Sequence, residues 1–287
     1  MPSQDAGLYR IEAVVWTGET AEICRAVAPN GERVAIKRIR RDIRKGAAFR
    51  SLEREAQIGL CFDHPNIVRV HELLPGPPEP LMVMEFFPSR NLKMRVLDRR
   101  GDPLLGTRTA DILLQMAAAL LHVHQRGYIH MDIKPENYLL SDEGQVKLTD
   151  FAIACRVPTG LLRFLPMRRI SGTRPYIAPE TLRRKRPDFR TDIYSFGATV
   201  FEVLAKRPPF VADDRDELLV MHLSRVPPWP WTFNKNITRE INDLILSMLE
   251  KDPGRRPQSM DDVLARLKRV RVYENPPSEA EARGTKA

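Results

Sequence analysis

Cysteine is scarce: the 287 residues contain only Cys24, Cys61 and Cys155. An odd number at wide spacing excludes a disulfide-stapled scaffold and a zinc knuckle. Ordinary reduced thiols are the expectation, for Cys155 as for the others. Long apolar runs are also missing. The longest, residues 110–123 and 193–205, are interrupted by Gln115 and Glu202 and fall short of the roughly 20 apolar residues of a membrane span. Residues 1–10 lack the apolar stretch of a secretory signal, so a cytoplasmic chain without a membrane span is expected. Aromatic residues make up 7%, and the basic runs are not interleaved with stacking aromatics. With no helix-turn-helix or zinc pattern either, nucleic-acid binding is not expected.

Positive charge is abundant. The net charge is +9 and the isoelectric point about 9.7, with the excess gathered at 38–50, 163–174 and 183–190. Such a field suits acidic substrates or phosphates. With 43% hydrophobic and 29% charged residues, the chain can bury a sizeable core in one large domain or two lobes.

Hydrophobic periodicity divides the sequence. Short β-branched runs at Val14 and Val15, Ile23 to Val27 and Val34 to Ile39, separated by Thr17-Gly18 and Pro29-Asn30-Gly31, predict a small antiparallel meander. Phe49, Leu52, Ala56 and Leu60 recur at three- and four-residue steps, which predicts one amphipathic helix over 47–60. Two more strands follow at about 68–73 and 81–86. Beyond Phe87 the pattern turns helical at 109–125, 192–205, 216–223, 239–249 and 259–270. The boundary is placed near 87–91, and residues 271–287 are expected to be a disordered tail. Functional residues are expected where the two parts meet.

Phosphoryl transfer needs divalent metal on oxygen ligands, a cation on the phosphates and a group that orients the attacking hydroxyl. Candidates for each are present. Val34-Ala35-Ile36-Lys37 ends a strand on a lysine, and Glu55 on the next helix is a fitting partner. His130-Met131-Asp132-Ile133-Lys134-Pro135-Glu136-Asn137 puts a carboxylate, a lysine and an amide in one short loop. Leu148-Thr149-Asp150-Phe151-Ala152 follows eighteen residues after Asp132, and Gly172 to Glu180 about thirty residues later. Asp192 to Gly197 and Asp252 to Pro257 complete the series. In order and spacing, from about residue 8 to 270, these motifs resemble the eukaryotic-type (Hanks-type) serine/threonine protein kinases.

The resemblance implies an α+β, bilobal protein kinase fold: a small, mostly antiparallel N-lobe with one helix (about 8–87) and a larger, mainly helical C-lobe (about 91–270). It implies Mg²⁺ and ATP as cofactors and protein as substrate. By that likeness Asp132 handles the substrate hydroxyl proton, Lys134 neutralises the transferring phosphoryl, and Asn137 and Asp150 ligate Mg²⁺. Lys37, paired to Glu55, holds the α- and β-phosphates under the loop of Gly18. Glu85 and Phe87 offer backbone bonds to adenine, Met84 backs the pocket, and Ile23, Ala35 and Leu139 sandwich the ring. Arg256 is expected to pair with Glu180, and His130 to pack beneath Phe151.

Three departures stand out. The glycine loop reads Trp16-Thr17-Gly18-Glu19-Thr20-Ala21, keeping only its middle glycine, which implies weaker hold on ATP. Ala152 replaces a glycine after Phe151, implying a stiffer hinge. Met131 replaces the arginine that receives an activation-loop phosphate, so activity independent of phosphate on Thr159, Ser171 or Thr173 is expected. A pseudokinase, or a kinase for small molecules, is the alternative. Residues 156–170, apolar and basic, could dock a partner or pack onto their own domain.

Overall fold

The computed structural model describes residues 5–6, 8–43, 45–76, 79–160 and 172–276. Most of the apolar, basic segment at 156–170, together with Ser171 and the tail beyond 276, lies outside them. The chain divides into two compact units, 1–88 with 150–152 and 89–149 with 153–287.

The first unit is one antiparallel sheet. Strands β1 (Asp5–Ala6), β2 (Tyr9–Thr17), β3 (Ala21–Val27), β4 (Arg33–Ile39), β5 (Val70–Leu74) and β6 (Leu81–Glu85) lie in the order β1-β2-β3-β4-β6-β5. Strand β2 runs well beyond the Val14-Val15 pair legible in the sequence, because two register shifts against β3 break its alternation. Strand period two sorts the rest. Cys24, Ala26, Val34, Ile36, Leu81 and Val83 form a core on one face. Ile23 pairs with Lys37 and Ala35 with Met84, which puts these four on the opposite face. Helix α1 (Lys45–Gly59) buries Leu52, Glu55, Ala56 and Ile58. Leu60, expected on its apolar stripe, is exposed. The helix ends at Gly59, where a Cβ would meet the Val70 side chain at 2.5 Å.

The second unit is mainly helical: α2 (Leu92–Val96), α3 (Leu104–Thr107), α4 (Thr109–Gln125), α5 (Pro179–Leu182), α6 (Phe189–Ala205), α7 (Arg215–Ser224), α8 (Arg239–Met248) and α9 (Met260–Leu267). Strands β7 (Arg90–Asn91), β9 (Tyr138–Leu140) and β10 (Val146–Leu148) form a small sheet, and β8 (Tyr128–Ile129) pairs with β11 (Cys155–Arg156). The short pieces α2, α3, α5, β7, β8 and β11 were not legible in periodicity because each is under two turns or two residues long. Helix α6 is the centre. Every residue from Thr191 to Ala205 is buried, and Asp188 caps its start by accepting from the Arg190 N–H at 2.8 Å.

Arg256 and Glu180 pair as expected, with two parallel bonds of 2.8 Å. The pair is buried, and its remaining valences are used: Thr191 Oγ1 donates to Glu180, while Arg256 donates to the Arg190 and Glu250 carbonyls. Residues 272 and 273 do not belong to the expected tail. Val272 and Tyr273 are buried, and the Tyr273 hydroxyl bonds the Leu105 carbonyl at 3.1 Å and approaches Thr109 Oγ1 at 3.2 Å. The Tyr273 side chain closes the N-terminal end of α4.

His222 on α7 is fully buried against Tyr194 and Phe210. Burial, and then the nearby Lys251 ammonium, push its pKa down from 6.5 to about 3. The unfolded chain takes up a proton near pH 6.5 that the native fold refuses, so this stability is full above 6.5 and drains away toward 3. Between pH 8 and pH 5 the loss is about 2 kcal/mol. Urea titrations at the two pH values should show that drop in the wild type and a smaller one in His222→Gln; equal drops would contradict the assignment.

Candidate active site

In the first unit the site grows from the strand face opposite the core. Lys37, near the end of β4, donates to both carboxylate oxygens of Glu55 on α1, at 2.6 and 2.8 Å. Asp150 Oδ1 lies 3.9 Å from the same ammonium. Burial alone would disfavour the Lys37 charge, but Glu55 and Asp150 outweigh it and its pKa is raised. The lysine is therefore a fixed cation, held by one carboxylate and near a second. Asp150 sits in the left-handed region at φ 68°, a conformation that turns its carboxylate out of the chain's extended path.

Phe151 next to it is buried, with its ring 4.8 Å from that of Phe62. Because positive φ falls on Asp150, and Ala152 is not among the residues that adopt it, the glycine expected at 152 has no backbone role here. The stiff hinge anticipated from the sequence therefore carries no conformational penalty in this state. Ala35 and Met84 are buried cross-strand neighbours and Ile23 lies opposite Lys37, so the apolar residues expected around adenine share the face of the lysine. The Glu85 N–H donates to the Arg69 carbonyl at 2.9 Å. Phe87 follows the strand.

In the second unit one carboxylate organises the loop 130–137. Asp192 on α6, wholly buried, accepts the His130 N–H at 2.7 Å and the Met131 N–H at 2.9 Å, with His124 Nε2 at 2.9 Å. These bonds hold Met131 at φ 71°, a conformation unfavourable for a side chain of that size. His130 is buried as expected of a structural residue, its Nε2 3.2 Å from the Thr149 carbonyl.

Asp132 is engaged on both oxygens. Thr173 donates to Oδ1 from its hydroxyl at 2.7 Å and from its N–H at 3.1 Å, and Lys134 reaches Oδ2 at 2.5 Å and Thr173 Oγ1 at 2.8 Å. Against the penalty of burial, Lys134 and Thr173 hold the Asp132 carboxyl below its ordinary value. It is an ionised acceptor at neutral pH. Thr173 gets that close because Gly172, at φ 119°, passes over the Met131 carbonyl, where a Cβ would lie at 3.3 Å. Asn137 Nδ2 donates to the Asp132 carbonyl at 2.8 Å, which turns its amide oxygen toward other partners. Leu139 follows on β9, half-buried.

The hard oxygens of Asn137 and Asp150 are the donor type Mg²⁺ prefers, and a lysine already held near carboxylates is the cation that phosphates require. Sequence reading missed the bonds of Thr173 to Asp132 and of His124 to Asp192. Neither has a local signal, since each joins residues more than forty positions apart.

Residues 9–266 match the protein kinase domain family. The chain belongs to that family. It is 34% identical over 268 residues to a probable serine/threonine-protein kinase of Streptomyces coelicolor, covering 91% of this chain and 40% of the relative. It is 30% identical over 285 residues to the serine/threonine-protein kinase PknB of Mycobacterium tuberculosis, covering 97% and 45%. Over 265 residues it is 31% identical to the serine/threonine-protein kinase PrkC of Bacillus subtilis, covering 92% and 40%. The chain spans about two-fifths of the length of these protein kinase relatives. No helix among the described residues is long and apolar enough to cross a membrane.

Proposed function

We propose that this chain transfers the γ-phosphoryl group of ATP to serine or threonine hydroxyls of proteins. The observation that carries the reading is the state of Asp132: an ionised carboxylate, half-buried beside Lys134 and Thr173, with no proton to lose before it can accept one. In this role Asp132 accepts the proton of the attacking hydroxyl and Lys134 offers its ammonium to the charge that develops on the phosphoryl oxygens. Lys37 holds phosphate, and Asn137 and Asp150 would hold Mg²⁺, which when bound neutralises the phosphates and fixes their geometry. Gly18, Ile23, Ala35, Met84, Glu85, Phe87 and Leu139 would receive the nucleotide.

The naming of the relatives as serine/threonine kinases supports the acceptor class. The pseudokinase alternative is disfavoured, because every group with a direct role is present and paired. Met131 is buried and offers no cation, which supports activity without a phosphate docked on the catalytic loop. The net charge of +9 supports acidic protein substrates. The kinase domain is taken as residues 8–270. Incubation with γ-labelled ATP, Mg²⁺ and casein, followed by phosphoamino-acid analysis, tests the reading. Label on serine or threonine is expected, and label confined to tyrosine, or none with ATP bound, would contradict it.

A further inference from the structure

The turn 17–21 between β2 and β3 is the segment in which the sequence keeps one glycine where its family resemblance implies three. Backbone amides that must receive phosphate are effective only if the turn already holds the receiving shape, because affinity falls with the fraction of time spent elsewhere. Glycine gives such a turn close approach but not order. Here order comes from outside the turn. The Gly18 N–H donates to the Ala21 carbonyl at 2.9 Å, and the Arg40 N–H to the Thr20 carbonyl at 3.0 Å. Arg40 Nη1 then crosses to the Gly18 carbonyl at 2.9 Å. The rest of its guanidinium is taken by Asp42, Nε to Oδ1 at 3.0 Å and Nη2 to Oδ2 at 2.7 Å. The fork leaves Arg40 aimed at the turn.

Trp16 covers the other side. A Cβ built on Gly18 would lie 2.2 Å from the indole Cη2, so the indole rests directly on the Gly18 backbone while half of it faces solvent. Position 18 is thus glycine because of the indole and not because of a left-handed backbone, since Gly18 is absent from the positive-φ residues.

We propose that Arg40, Asp42 and Trp16 form a clamp that preorganises the turn 17–21 for the phosphate groups of ATP, in place of the missing glycines. This rests on the nucleotide-dependent reading above. Arg40 and Asp42 are positioning residues: all three guanidinium nitrogens are committed to the turn or to Asp42, so the arginine acts through Gly18. As a partly exposed ion pair the clamp adds little to global stability, which lets its effect on binding be read separately.

Calorimetric titration of the whole chain with Mg-ATP and with adenosine provides the test. Arg40→Met and Asp42→Asn should each weaken ATP on the order of 5- to 20-fold and leave adenosine, which has no phosphate, unchanged. Gly18→Ala, whose methyl meets the indole, should weaken ATP likewise, and Trp16→Ala in that background should restore part of the loss. Equal losses for ATP and adenosine, or none, would overturn the clamp. So would weakening by Arg40→Met with Asp42→Asn neutral or tighter, because that pattern makes Arg40 a direct phosphate ligand. A wild type that binds adenosine and ATP equally would also overturn it, whereas one that binds neither would defeat the nucleotide-dependent reading and the clamp with it.

Discussion

Replacing Asp192 with alanine should lower stability by about 3–5 kcal/mol and remove activity with it. The carboxylate is the shared acceptor for the His130 and Met131 N–H groups and faces His124 Nε2, all in a site closed to water. Each buried donor left unpaired costs roughly 1–3 kcal/mol. Met131 would lose the bond that holds it at φ 71°, where a non-glycine residue costs about 1–2 kcal/mol. The loop 130–137 would then relax toward an ordinary backbone and carry Asp132 away from Thr173. Asp192→Asn, which keeps one acceptor oxygen but turns an amide NH₂ toward the second donor, should fall in between. Urea unfolding followed by circular dichroism measures both; an alanine variant with the wild-type midpoint would contradict the account of the loop.

The second large effect belongs to Lys37. Changing it to methionine should cut phosphoryl transfer by at least about 100-fold, because the fixed cation for the phosphates is gone. It should also destabilise the fold by about 3–5 kcal/mol at pH 8, since Glu55 would remain as a buried carboxylate without its ammonium. Burial raises the Glu55 pKa, and with the lysine removed nothing nearby opposes that rise. A raised carboxyl pKa stabilises the fold below the unfolded value near 4.5 and loses that contribution as pH climbs through the folded value. The variant should therefore lose stability relative to wild type as pH rises from 5 to 8. Adding Glu55→Gln should return most of the stability and none of the activity. If the double change rescued neither, or the single change were harmless at pH 8, the pair would not be the buried, mutually dependent unit described.

How far the sequence foretold this depends on the range of each interaction. Helix α4 was legible to the residue because its seventeen positions keep one apolar pattern, and Lys37, Asp132, Asn137 and Asp150 were legible because their motifs are local. The pairing of Arg256 with Glu180, seventy-six positions apart, came only through family resemblance. Three things escaped. The left-handed conformations of Met131 and Asp150 are forced by bonds and packing that form only in the fold, so the glycine sought at 152 was sought two positions too late. His124 carries no motif of its own and proves to be a neighbour of the Asp192 carboxylate. Tyr273 looked like the start of a tail, since one buried aromatic gives no periodicity, yet it closes the end of α4.

The central claim is that Asp132 is the group through which this chain moves phosphate onto protein hydroxyls. Its most direct test compares wild type and Asp132→Asn at equal concentration, with γ-labelled ATP, Mg²⁺ and a protein acceptor, after calorimetry has shown that both bind the nucleotide. The isosteric amide keeps an acceptor for Thr173 but cannot take up the hydroxyl proton, so transfer should fall by about 100- to 10,000-fold while ATP affinity stays within a few-fold. Undiminished label on serine or threonine in the variant would show that another group does this work.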